Sequence, residues 1–207
     1  MRATCLLAPG RGTTMETWFT SDHHFGHTNI ITFCERPFQN AAEMNRALID
    51  NWNNVVDPND LVYLPGDVCM GKISETLPLI SELNGRIILL PGNHDKPWIG
   101  RAAGRVLGEW RQAYLNAGIS EIIDTGAGHG EPTIQIGAET VKISHFPYIG
   151  DAYERKHQDR FSAWRPDDDG SWLIHGHVHN SWGRTNERMV NVSVDVWDYT
   201  PVHIDQI

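Results

Sequence analysis

At 207 residues, with 26 acidic against 17 basic side chains, a formal net charge of -9 and 40% hydrophobic composition, the chain is long enough to bury a sizeable core without a disulfide or structural-metal staple. The acidic balance argues against a passive, charge-driven nucleic-acid binder and against a polybasic membrane-surface protein, while a small anionic substrate stays open because one local patch can oppose the global sign. Cys5, Cys34 and Cys69 are odd in number and widely spaced, which argues against a disulfide framework and a thiolate zinc site. The longest apolar runs, such as 87–90, are strand-sized and far short of the ~20 residues that span a bilayer.

In chain order, residues 1–14 (MRATCLLAPGRGTT) read as a disordered tail or an upstream extension, since Met15 stands directly before the first strand-like run. A single domain over 15–207 follows. Strand-like runs fall at 17–20, 61–64, 86–90, 133–136, 141–144, 172–175, 190–194 and 202–204. Helical patterns fall at 40–53, where Met44, Ala47, Leu48 and Trp52 share one face, at about 74–83 with Pro78 in the first turn, at 106–117 before Gly118, and near 152–164. The first half reads as βα units and the second as mostly antiparallel. Together they imply an α/β or mixed α+β domain with two packed sheets and helices outside.

Five of the strand-like runs end alike, in a small or turn-forming residue followed by a residue able to bind a metal: Ser21-Asp22 with His24, Gly66-Asp67, Gly92-Asn93-His94-Asp95, Ser144-His145, and Gly176-His177-Val178-His179. Because the carboxyl ends of neighbouring strands converge on one edge, Asp22, His24, Asp67, Asn93, His145, His177 and His179 are expected to meet in one crevice. Imidazole nitrogens with carboxylate and amide oxygens suit Mn²⁺, Fe, Zn²⁺ or Co²⁺. Seven ligands are too many for one tetrahedral zinc but serve two ions if one carboxylate bridges, and Asp67, with two oxygens at a strand end, is the natural bridge.

This set resembles the calcineurin-like metallophosphoesterases, and the string SDHHFGHTNII continuing to Phe33-Cys34-Glu35-Arg36-Pro37-Phe38 is similar to a compact bacterial and phage branch that includes mycobacteriophage-type cyclic-nucleotide phosphodiesterases. The resemblance implies a four-layer αββα sandwich. It also implies a site in which Asp22, His24, Asp67 and His179 hold one ion, most naturally Mn²⁺, and Asp67, Asn93, His145 and His177 the other. A bacterial or phage-infected host cytoplasm is the implied compartment.

The expected reaction is in-line attack of a metal-activated hydroxide on a phosphoryl group, with His94 as the proton donor and Asp95 orienting its ring. His27, Arg36 and Tyr148 are secondary candidates for substrate contact, Arg36 through a bidentate grip on phosphate. Small phosphodiesters are expected, 2′,3′-cyclic nucleotides first by family analogy, with no stable nucleic-acid or membrane partner. A phosphomonoesterase is the runner-up, because the same two-metal clamp serves both. A non-catalytic interaction scaffold is the reading from another class, and the intact ligand set weighs against it. The run 66–72 (GDVCMGK) lacks the arginine of the protein phosphatases, which argues against that activity.

Overall fold

The computed structural model describes residues 14–150, 156 and 159–207, so the expectation for 1–14 lies, apart from Thr14, outside the described residues. The first half alternates strand and helix: β1 (Thr17–Phe19), α1 (Thr28–Phe33), α2 (Ala41–Val55), β2 (Leu61–Leu64), α3 (Ile73–Thr76) running into a 3₁₀ turn (Leu77–Glu82), β3 (Arg86–Leu89), α4 (Gly104–Asn116) and β4 (Ile119–Ile122). The second half holds β5 (Thr133–Ile136), β6 (Glu139–Ile143), β7 (Trp172–His175), β8 (Thr185–Asn186), β9 (Met189–Asn191) and β10 (Val202–His203). Two five-stranded sheets result, ordered β10-β1-β2-β3-β4 and β5-β6-β7-β9-β8.

Strand alternation sorts the two faces of the first sheet. Trp18, Val62, Leu64, Ile87 and Leu89 pack against the helices, beneath Met44, Leu48, Ile49 and Trp52 of α2 and Tyr114 of α4. Phe19, Ile88 and Leu90 turn the other way, into an inter-sheet core with Val141, Ile143, Ile174 and Val190. Helix α2 starts where Asn40 accepts a 2.9 Å hydrogen bond from the Glu43 N–H, a side-chain cap of the kind that typically contributes ~1 kcal/mol. Pro78 sits in the first turn of the 3₁₀ segment, where it breaks no helical hydrogen bond. Among the described residues no helix is long and apolar enough to cross a membrane.

Two expectations need correction. The second sheet is parallel at its centre, with β6, β7 and β9 running together, and antiparallel only where β5 and β8 close its edges. The connections 144–171 and 176–188 are long enough for crossovers, whereas the edge pairs are joined by two-residue turns that force antiparallel pairing. Strand β4 was also not anticipated, because only Ile119 of its four residues is buried and no alternation marks it. Residues 152–155, 157 and 158 of the helix expected near 152–164 lie outside the described residues; within the rest this stretch forms a 3₁₀ turn at Ser162–Trp164. On the outer face of the second sheet, Leu173 and Met189 pack with Tyr148 and Trp182.

Candidate metal centre

Parallel β1, β2 and β3 deliver Asp22, His24, Asp67 and Asn93 to one edge of the first sheet, and parallel β6 and β7 deliver His145 and His177 to the same edge of the second. The backbone then does something unusual for side chains with a Cβ. Asp22, His24, Asp67, His177 and His179 all have left-handed φ values, between 48° and 73°. Such conformations cost of order 1–3 kcal/mol each and persist where the surroundings over-determine them, typically at functional sites. Three of them are pinned through their own N–H groups: Asp22 N–H donates to Gly66 O (3.1 Å), His24 N–H to Asp67 O (3.0 Å), and His177 N–H to Asp22 Oδ2 (2.9 Å).

The side chains converge. Ligand atoms of Asp22, His24 and His179 lie within 4.8 Å of one another, as do those of Asp22, Asp67 and His145. Asp67 Oδ2 stands 3.5 Å from His24 Nε2 and 3.6 Å from His145 Nε2. His145 Nε2 is 3.2 Å from Asn93 Oδ1, and the His145 and His177 rings are 5.1 Å apart. All seven expected ligands are therefore brought together.

Several of these atoms have no hydrogen-bond partner although they are buried: Asp22 Oδ1 and both ring nitrogens of His24. A buried polar atom without a partner typically costs ~1–3 kcal/mol, and a cation between Asp22 and one ring nitrogen of His24 would satisfy both atoms. Glycine makes the room. A Cβ on Gly92 would lie 2.3 Å from Asp67 Oδ1 and 2.6 Å from His145 Cε1, and one on Gly176 would lie 2.6 Å from Asp22 Oδ2. The donor set and its spacing fit a divalent metal centre.

Two of the histidines, His24 and His145, are held neutral, the form in which an imidazole binds a metal. Burial, reinforced by the His179 and His94 imidazoles, holds His24 well below the usual histidine range, and burial pushes His145 down to about 3. His145 Nδ1 donates to Pro65 O (2.8 Å), which leaves Nε2 for the centre. His179 differs: burial would lower it, but Asp22 and Asp195 together hold it well above the usual range.

Asp195 is the residue that sequence reasoning missed. Its Oδ2 accepts from His179 Nδ1 (2.7 Å) and from Ser193 Oγ (2.9 Å), and both its oxygens take the Arg36 guanidinium. Its only signal in the chain is an acidic residue that alternates with valines in the run 192–196 (VSVDV).

Three expected roles are corrected by these contacts. Arg36 cannot grip phosphate: it is 4% exposed, and its nitrogens are spent on Asp195, on Asp22 O (2.7 Å) and on His23 O (3.0 Å). Tyr148 does not wall the site, because its hydroxyl donates to Ser171 O (3.1 Å) and its ring packs with Leu173 and Met189. The aromatic residues that do press on His177 are Phe146 and Phe161, with ring centroids 4.9 and 5.2 Å away. Asp95 does not orient His94. Fully buried, it accepts from the N–H groups of Asp67 (2.7 Å), Val68 (3.0 Å) and Gly92 (3.0 Å), and so clamps two ligand-bearing loops together.

His94 is half-buried with its ring 5.2 Å from that of His24, and its N–H donates to Asp67 Oδ1 (2.9 Å). His27 lies on the same side, its ring 5.4 Å from His24. It occupies the N-cap position of α1 but makes no side-chain cap.

Fold and site together define a phosphoesterase architecture, and the chain belongs to the Calcineurin-like phosphoesterase family, which matches residues 15–197. Metal-dependent phosphoester hydrolysis is the activity that this membership and the carboxylate–imidazole clusters support. Among its relatives are the uncharacterized protein MJ1445 of Methanocaldococcus jannaschii, 33% identical over 92% of this chain and 88% of that protein, and the Gene 66 protein of Mycobacterium phage L5, 34% identical over 87% of each. A protein of unknown function from Aquifex aeolicus, AQ665, has a crystal structure similar to this one, with a TM-score of 0.65 and 26% identity over 93% of this chain and 97% of that one.

Proposed function

We propose that the chain hydrolyses small phosphodiesters at a dinuclear site, with 2′,3′-cyclic nucleotides as the favoured class and Mn²⁺ as the favoured ion. The observation that carries this reading is Asp67 Oδ2, which faces His24 Nε2 at 3.5 Å and His145 Nε2 at 3.6 Å. Both separations are too long for hydrogen bonds and suit ligands arranged around ions. Asp22, His24, Asp67 and His179 would hold one ion, and Asp67, Asn93, His145 and His177 the other. When bound, a pair of divalent ions lowers the pKa of water and neutralises charge on phosphoryl oxygens.

The chain's own residues supply position and a proton. The left-handed turns at Asp22, Asp67 and His177 hold their side chains without further reorganisation. His94, half-buried beside the cluster and thus in exchange with solvent, donates a proton to the leaving oxygen, a contribution typically worth ~10²–10⁴ in rate. Support for small esters over polymers comes from charge: at -9 overall, the chain repels a long polyanion, whereas a small ester reaches a cationic pit.

The test is metal content together with hydrolysis of bis(4-nitrophenyl) phosphate, followed by a panel of 2′,3′-cyclic, 3′,5′-cyclic and monophosphate nucleotides. Mn²⁺-stimulated diester turnover that disappears in Asp67→Ala is expected. Turnover of monophosphates alone would make the protein a phosphomonoesterase. No stimulated turnover, with no effect of Asp67→Ala, would favour the scaffold reading.

A further inference from the structure

Phe33 is 70% exposed, and among the described residues every other Phe, Tyr and Trp is buried or half-buried. A lone exposed apolar side chain is ordinary and by itself means little. The position of this one is not ordinary. It ends α1, whose Ile30 and Ile31 pack into the helix-side core while Phe33 faces outward. Its ring meets His27 edge-on at 6.4 Å and 78°, His27 meets His24 at 5.4 Å, and His24 meets His94 at 5.2 Å. A continuous ladder of rings thus leads from the carboxylate–imidazole cluster to solvent, and its outermost rung is a bare aromatic face.

His27 adds a second mark. Its Nδ1 is buried without a hydrogen-bond partner, and the ring caps no helix N–H, so its orientation is not explained by α1 itself. A half-buried imidazole beside an exposed π-face, next to a phosphate site, matches a substrate that carries a planar ring a short distance from its phosphorus. Flat heteroaromatic groups stack on such faces whatever their hydrogen-bonding pattern.

We infer that Phe33 is a specificity-determining platform, on which the planar aromatic portion of a phosphate ester stacks while its phosphate occupies the centre built by Asp22, His24 and Asp67. This rests on the phosphoesterase reading above and narrows it to esters of aromatic or nucleobase-bearing alcohols.

The test compares the wild-type chain, Phe33→Ala and Phe33→Tyr, each loaded with Mn²⁺, on matched esters with and without a ring. Adenosine 2′,3′-cyclic phosphate against glycerol 1,2-cyclic phosphate is the diester pair, and phenyl phosphate against glycerol phosphate the monoester pair. Phe33→Ala is expected to raise KM for the ring-bearing ester about tenfold, within the range for losing one base–aromatic stack. It should leave kcat, Tm and both constants for the ring-free ester in place, and Phe33→Tyr should behave as wild type. An unchanged KM for the ring-bearing ester, or equal losses within a pair, overturns the platform while the phosphoesterase reading stands. A wild-type chain that turns over none of the four esters overturns both.

Discussion

His179 donates from Nδ1 to Asp195 across 2.7 Å, and this bond leaves Nε2 as the one ring atom able to face the cluster of Asp22 and His24. Partners of this kind fix the tautomer and ring orientation of a metal-binding histidine, and losing one typically costs ~10–100-fold in metal affinity. Asp195→Ala is therefore expected to weaken Mn²⁺ binding by about that factor, as read by calorimetric titration of metal-free protein at a temperature where circular dichroism shows the variant folded, since the change also strands the Arg36 charge. Asp195→Asn, which still accepts a hydrogen bond, should recover part of the loss. Affinity equal to wild type in both variants would remove Asp195 from the site.

Arg36 holds the other side of Asp195, at 2.7 and 2.9 Å, and also binds the carbonyls of Asp22 and His23. One guanidinium thus ties the loop after β1 to the segment after β9. Removing one member of a buried pair leaves the other charge uncompensated, at a cost of about 3–5 kcal/mol. Arg36→Met should show such a loss in urea unfolding, and Arg36→Lys should not restore it, because a lysine has no planar fork to span both oxygens. A loss under about 1 kcal/mol, the scale of an exposed pair, would contradict this account.

His94 touches the cluster through its backbone bond to Asp67 and places its ring beside His24. His94→Ala should keep its metal but lose roughly 10²–10⁴ in turnover on esters with poor leaving groups, with a much smaller loss on nitrophenyl esters that need no proton. Steady-state rates on an alkyl and a nitrophenyl diester make the comparison. Equal losses on both would refute a leaving-group role.

Gly92 leaves space that Asp67 and His145 use, since a Cβ there would sit 2.3 Å from Asp67 Oδ1. Gly92→Ala should therefore lower bound metal per chain and activity together, while the far-UV circular dichroism stays that of the wild type. Full metal content in the variant would show that the ligands can shift without loss.

All the strands but β4 and β8, and the seven clustered residues, were legible in the sequence because both are local. β2, β5 and β7 fall on the strand-like runs of the sequence, and each ligand follows a strand end within a few residues, where glycine, proline or serine announces the turn. What surrounds the cluster was not legible. Arg36 and Asp195 lie 159 residues apart, and no spacing rule pairs them. An arginine, a tyrosine and an aspartate that looked available to substrate or to His94 are consumed by Asp195, Ser171 O and three backbone N–H groups, because a folded interior satisfies its buried polar atoms before any ligand can compete for them. The parallel centre of the second sheet and the left-handed turns at five clustered residues are likewise decided by long-range packing. The sequence by itself determined which carboxylates and imidazoles would gather at one edge of the two sheets. Only the tertiary structure decided which of them face one another and which are held in place, since orientation is set by contacts between segments far apart in the chain.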